Sequence, residues 1–174
     1  DALSLTTAVF RVERGLFISV DPNNMAQIIT IPGSVTDGME IQLVGQLTAR
    51  WTVNAGYSYL DSTVDGGTFD GARTLQTPEH MASLWNRFDV TSRLDLALGV
   101  TYQDSYFVRE DNAVEVPGYT RVDAAAYYDL SGQTRLQLNV ENLFNTDYFP
   151  DAHSNDNITT GAGTNARLTV RHRF

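Results

Sequence analysis

The chain has 174 residues, of which 42% are hydrophobic and 19% are charged, a composition that fits one folded domain and argues against disorder. It contains no cysteine, which excludes a disulfide framework and any cysteine-ligated metal site. Its 21 acidic and 12 basic residues give a net charge of −9, which makes the chain a poor candidate for binding nucleic acid through the phosphates.

Eight segments alternate between apolar and polar residues with the period of two that is typical of a β-strand. In chain order they are residues 3–13, 39–49, 51–59, 81–91, 94–102, 121–130, 135–144 and 165–174. No run approaches the roughly 18 consecutive apolar residues that a transmembrane helix requires. The sequence therefore predicts an all-β chain, and any crossing of a membrane would be made by strands.

The last segment separates its two sets of side chains most clearly. One side carries Ala166, Leu168, Val170, His172 and Phe174, and the other carries Asn165, Arg167, Thr169, Arg171 and Arg173. An arginine at the middle of a bilayer costs about 2 to 4 kcal/mol, so three on a lipid-exposed face would be prohibitive. We expect Leu168, Val170 and Phe174 to face lipid and the three arginines to face a polar lumen.

Short and long connections alternate between the predicted strands. Residues 49–50, 91–93 and 131–133 have the length of hairpin turns. Residues 61–80, 103–118 and 145–164 are long, rich in Gly, Asp, Asn and Thr, and each carries a net charge of −3. Tight turns at one rim and extended acidic loops at the other are typical of an outer-membrane β-barrel. The acidic loops are interpreted as solvated, and the alternative is that they hold divalent cations or control the entry of a ligand.

Several short motifs resemble those of TonB-dependent outer-membrane receptors. Residues 138–148, LNVENLFNTDY, resemble the family's V-x-N-L-F-(D/N)-x-x-Y strand, and residues 167–174, RLTVRHRF, resemble its last strand with a terminal aromatic residue. Four further stretches match in the family's order: VTDGME at 35–40, VNAGYSYLD at 53–61, TPEHMASL at 77–84 and VPGYTRVD at 116–123. Residues 148–162 look most like receptors for catecholate-type ferric siderophores.

The resemblance implies an antiparallel, up-and-down transmembrane β-barrel of about 22 strands whose lumen is filled by an amino-terminal plug. Residues 1–174 would be a carboxy-terminal portion of about eight strands, without the plug domain. The implied function is binding and import of a ferric siderophore in the outer membrane of a Gram-negative bacterium, with energy from TonB through the missing amino-terminal part. Outer-membrane lipid and the barrel assembly machinery, acting through the carboxy-terminal strand, are the other expected partners.

Seven loop residues are candidate ligand contacts, because a ferric catecholate complex is an anion with aromatic faces. They are Arg73, Tyr106, Phe107, Arg109, Tyr148, Phe149 and His153. Packing of one loop on another is the alternative explanation for each of them.

No cofactor, metal site or enzyme activity is predicted. Asp151, His153 and Asp156 have metal-binding side chains, and Ser154 lies beside them, but a loop rich in Asp and Asn is more often only hydrophilic, and a catalytic triad requires geometry rather than proximity in sequence. Two other classes of protein remain open: a free-standing closed barrel of eight strands that acts as an anchor or adhesin, and a soluble β-sheet binding module.

Overall fold

The computed structural model describes residues 3–174, which form fourteen β-strands. In chain order these are β1 (Ser4–Arg14), β2 (Phe17–Asp21), β3 (Asn24–Ile31), β4 (Ser34–Thr48), β5 (Trp51–Val64), β6 (His80–Asp89), β7 (Leu94–Gln103), β8 (Tyr106–Phe107), β9 (Glu115–Val116), β10 (Tyr119–Ser131), β11 (Thr134–Glu141), β12 (Asp151–Ser154), β13 (Asn157–Thr159) and β14 (Asn165–His172). Residues 3–174 include no helix of the length and apolar character required to span a membrane.

Eight long strands form one antiparallel sheet in the order β1, β4, β5, β6, β7, β10, β11, β14. Each strand pairs with the next long strand along the chain, as in an up-and-down barrel wall. Within the described residues β1 and β14 do not pair with each other, so the sheet is open. The eight predicted segments are thereby confirmed as strands, and the chain does not close into a barrel by itself.

The two ends of the sheet differ in how the strands are joined. At one end the connections are tight turns at residues 49–50, 90–93 and 132–133. At the other end they are residues 15–33, 65–79, 104–118 and 142–164, and all but residues 65–79 contain a two-stranded hairpin: β2 with β3, β8 with β9, and β12 with β13. The predicted alternation of short and long connections is therefore observed, whereas the three hairpins inside the loops are an addition to the sequence prediction.

The register of the sheet places apolar side chains on one face and polar side chains on the other. On the apolar face, one rank across five strands consists of Phe88, Leu96, Ala126, Leu138 and Leu168. The adjacent rank on the polar face consists of Arg87, Ala97, Ala125, Asn139 and Arg167. Many large apolar side chains of the first face are exposed in this chain, which is the reverse of a soluble core.

The polar face carries a network of ion pairs near the end with the short turns. Asp95, on β7, accepts hydrogen bonds from Arg87 and from Arg135, the second at 3.0 Å. Arg135 also donates to Asp129 at 2.8 Å, and both guanidinium groups lie against the ring of Tyr127. Charged residues on the polar face of β6, β7, β10 and β11 are therefore compensated by one another.

Strand bounds differ from the predicted ones by three or more residues in β4, β5 and β11. β4 begins five residues before the predicted segment, and β5 extends to Val64, because these two strands continue their pairing beyond the apolar zone. β11 ends at Glu141, three residues before the predicted Phe144, because Asn142 adopts a positive φ of 51°. Asparagine tolerates this left-handed conformation better than most residues, and a strand cannot continue through it.

Candidate functional site

Three of the long connections pack together into one cluster above the polar face of the sheet. Its core consists of Tyr106, Val108 and Val116 from residues 104–118 and Ala152 from residues 142–164, all of them buried. Val114, Phe149 and Ile158 pack around this core and are partly buried. The hairpins β8–β9 and β12–β13 thus share a small hydrophobic core of their own, separate from the sheet.

Hydrogen bonds between side chains and backbone tie the same connections together. The guanidinium of Arg109 donates to the carbonyl oxygen of His153 at 2.8 Å, and the side-chain amide of Gln76 donates to the carbonyl oxygen of Ala152 at 2.6 Å. Asn112 forms two bonds with the backbone of Arg73, each 2.9 Å long. The cluster is therefore a packed surface rather than a set of independent solvated loops.

The predicted ligand contacts fall into two groups within this cluster. Tyr106, Arg109 and Tyr148 are buried, the last two with 8% of their surface exposed. Tyr106 and Arg109 make contacts between loops, whereas Tyr148 contacts strand β10. Arg73, Phe107 and Phe149 are half-buried, and His153 is exposed. The Arg73 guanidinium lies 3.2 Å from a carboxylate oxygen of Glu79 and keeps about a third of its side chain accessible.

The titratable groups of the cluster show no catalytic arrangement. The Ser154 hydroxyl donates to Asp156 at 2.6 Å rather than to His153, and this bond lowers the pKa of Asp156 below its ordinary value. Burial raises the pKa of the Tyr106 hydroxyl, so that the group is neutral at physiological pH. Within the described part of the chain, no three carboxylate or imidazole groups come together in a way that could hold a metal ion.

A second set of contacts, which sequence reasoning did not single out, attaches residues 142–164 to the wall of the sheet. Asp123 accepts a 2.8 Å hydrogen bond from the backbone nitrogen of Asn142 and a 2.9 Å bond from Arg121. Arg121 also donates to the Tyr148 hydroxyl at 3.1 Å. Asp123, Asn142 and Tyr148 all belong to the motifs quoted above. The family resemblance is therefore the feature of the sequence that could have indicated these contacts.

Below the cluster, the polar face lines an open concavity of about 490 Å³. Polar side chains from five strands border it, among them Thr6, Gln42, Ser58, Ser83, Thr101 and Gln103. The face that would enclose a lumen therefore carries polar side chains, together with a few apolar ones such as Ala8 and Met81.

A family model described as TonB dependent receptor-like, beta-barrel, matches residues 1–143. The chain belongs to the TonB-dependent receptor family. Two relatives have similar sequences. The probable TonB-dependent siderophore receptor PiuA of Acinetobacter baumannii is 32% identical over 99% of this chain and 25% of PiuA. The catecholate siderophore receptor Fiu of Escherichia coli K12 is 32% identical over 84% of this chain and 20% of Fiu.

Solved structures of TonB-dependent receptors have the same fold as this chain. The crystal structure of PiuA superposes with a TM-score of 0.84 at 31% identity, over 98% of this chain and 26% of PiuA. The closed form of Fiu superposes with a TM-score of 0.83 at 29% identity, over 99% of this chain and 25% of Fiu. The chain thus spans about a quarter of the length of the relatives it matches.

Membership of this family confirms several expectations from the sequence. The all-β architecture is that of an outer-membrane receptor barrel, the chain is part of a larger barrel, and the family consists of transport receptors rather than enzymes. The closed eight-stranded barrel and the soluble module are both less well supported than the receptor, because the sheet is open and its apolar face is exposed.

Proposed function

We propose that this chain is a carboxy-terminal part of the barrel of a receptor that binds a ferric siderophore at its extracellular rim and imports it with energy from TonB. The observation that carries the proposal is the packed cluster of three long connections above a polar face, with Arg73 and His153 accessible at its surface. Recognition residues gather on long loops that a rigid scaffold positions. The names of PiuA and Fiu add support for siderophores as the ligand class.

The chemistry of the cluster favours a catecholate-type siderophore. Arg73 supplies a positive charge, while Phe107 and Phe149 supply partly exposed aromatic surface for the rings of such a ligand. His153 adds an exposed imidazole. The buried Tyr106, Arg109 and Tyr148 support this surface from below. The similarity to Fiu, which is named a catecholate receptor, points to the same class.

The remaining partners follow from the two faces of the sheet. We propose that the apolar face contacts outer-membrane lipid. We also propose that the barrel assembly machinery recognises Leu168, Val170 and Phe174 at the carboxy-terminal end of the chain. A plug and the segment that contacts TonB would belong to the part of the receptor outside these 174 residues.

Alanine variants of the complete receptor test the site. Arg73→Ala, and separately the double variant Arg109→Ala with Tyr148→Ala, should each weaken binding of a ferric catecholate at least tenfold. The reason is that Arg73→Ala removes a charge-assisted contact worth about 1 to 3 kcal/mol, whereas the double variant removes the buried side chains that support the accessible ligand contacts. Equilibrium binding to purified receptor measures the effect. Arg93→Ala is the matched control, because Arg93 is exposed in a turn at the opposite rim.

Unchanged affinity of both test variants, Arg73→Ala and the double variant, for every ferric siderophore tested would refute these loops as the binding site. Tight binding of cobalamin or a glycan in place of a ferric siderophore would retain the family and overturn the substrate.

A further inference from the structure

The base of the last long connection, residues 142–164, is closed mainly by hydrogen bonds of Asn142. The Asn142 amide donates to the carbonyl oxygens of Thr146 at 2.9 Å and of Ala162 at 3.0 Å, and its oxygen accepts a bond from the Thr146 nitrogen. The Thr164 hydroxyl donates to the Asn142 carbonyl oxygen at 2.6 Å. Asn142 is 1% exposed. The two ends of the connection are therefore held side by side, independently of the hairpin at its tip.

Arg121 connects the base of residues 142–164 to the polar face of the sheet. This guanidinium lies between the carboxylate of Asp123 on its own strand and the hydroxyl of Tyr148 in the connection. Its charge also lies over the Tyr148 ring, 5.5 Å from the ring centroid. Arg121 is thus the one residue that joins the wall to the Tyr148 side chain by both a hydrogen bond and a cation–π contact among residues 3–174.

The position of the Tyr148 ring is restricted on its other sides as well. The ring packs against Tyr119 with 4.8 Å between centroids. Gly161 also lies against the ring, so closely that a Cβ atom at position 161 would overlap the Tyr148 ring. The backbone nitrogen of Gly161 also donates to the Tyr148 carbonyl oxygen at 2.7 Å. A tyrosine in a 23-residue connection is therefore enclosed as tightly as a core residue.

We infer that Arg121, Tyr148 and Gly161 are positioning residues that fix the last extracellular connection over the polar face and thereby set where the exposed His153 stands relative to Arg73. The Tyr148 hydroxyl acts by its bond to Arg121, not by touching a ligand, because it is buried under Gly161 and beside Tyr119. The effect on ligand binding rests on the proposed function, whereas the effect on the position of the connection does not.

Distance measurements in the complete receptor test this inference. Paired spin labels at positions 157 and 92, one beside the turn of the β12–β13 hairpin and one in a turn at the opposite rim, report where the connection stands. Tyr148→Phe removes the hydroxyl and keeps the ring, while Gly161→Ala keeps the hydroxyl and displaces the ring. Both variants should broaden the distribution of distances between the two spin labels. Tyr128→Phe is the matched control. Tyr128 lies on the apolar face of β10, the strand that carries Arg121, and its ring is exposed.

The same variants should lower the affinity for a ferric catecholate by roughly three- to tenfold, the effect of losing one hydrogen bond. Unchanged distance distributions in both Tyr148→Phe and Gly161→Ala would overturn the inference. Broadened distributions in a receptor that binds no ferric siderophore would support the positioning role and refute the proposed function, so the two failures are distinguishable.

Discussion

Asp95 shows how charged residues are accommodated on the inner wall of this barrel segment. It is 7% exposed and is shared by two guanidinium groups, which also stack on the ring of Tyr127. Hydrogen bonds in which both partners are charged are stronger than neutral ones. The arrangement holds β6, β7 and β11 together through side chains, in addition to the backbone ladder.

Loss of this carboxylate should destabilise the receptor. In Asp95→Asn the two arginines would face one another without their shared counter-charge, and we expect the free energy of unfolding to fall by about 1 to 2 kcal/mol. Urea unfolding of the purified receptor in detergent measures the change. Asp89→Asn is the matched control, because Asp89 lies 4.0 Å from Arg87 and is exposed, and it should change stability by less than about 0.5 kcal/mol. Equal effects of both substitutions would contradict a special role for Asp95.

The types of residue in the loop cluster can be read from the sequence, but their burial cannot. Arginine and tyrosine in acidic loops are reasonable ligand contacts by chemistry, and Arg73 and His153 are indeed accessible. Arg109 and Tyr148 are buried by partners that lie 44 and 27 residues away along the chain, so their burial could not be predicted from the neighbouring sequence. The packing of one loop on another is a tertiary property, and no local sequence pattern predicts it.

At the scale of the strand, β14 separates its side chains as its sequence predicts. Leu168 and Val170 are 66% and 61% exposed, and they continue the apolar rows of β11. Arg167 and Arg171 lie on the other face, opposite Asn139 and Arg135. This alternation is what a strand between lipid and a polar lumen requires.

Accessibility of spin labels tests the orientation of this strand. In the complete receptor reconstituted in lipid, a lipid-soluble quencher should reach a label at position 170 and miss one at position 171, because adjacent residues of a strand point to opposite faces. The two sites are each other's control. The opposite accessibility would refute the proposed orientation of the wall.

The wall strands were predictable from the sequence, and the hairpin strands inside the connections were not. The wall strands have 8 to 15 residues, long enough for the alternation to stand out. The hairpin of β2 and β3, with five and eight residues, was not predicted despite the length of β3, and β8, β9, β12 and β13 have only two to four residues. These short strands lie in segments rich in Asp, Asn and Gly, and their pairing depends on the small core around Val108 and Ala152. Asn142 ends β11 early through its positive φ angle, which a polarity pattern does not reveal.

At the scale of the molecule, the chain presents two strand edges, on β1 and on β14, with no partner among residues 3–174. In lipid, an unpaired strand edge leaves backbone groups without hydrogen bonds. In the larger barrel these edges would pair with further strands, and the lumen would hold additional protein.

The 174-residue chain on its own should therefore fail to form a stable barrel and should not transport a siderophore. Refolded in detergent, it is expected to aggregate or to lose strand content, as followed by circular dichroism and by size-exclusion chromatography. The complete receptor refolded in the same detergent is the control. A heat-resistant, monodisperse monomer with full strand content would contradict the prediction and favour the closed eight-stranded barrel.

The hairpins inside the long connections have a consequence for how such receptors can diversify. Each hairpin closes its own ladder of hydrogen bonds, and the base of residues 142–164 is closed separately by Asn142. Insertions, deletions or substitutions at the β12–β13 tip therefore leave the register of β11 against β14 untouched. A two-residue turn such as 132–133 offers no such freedom, because any added residue would shift every side chain of the following strand. Evolution can accordingly rework the outer rim of the molecule while its wall stays constant.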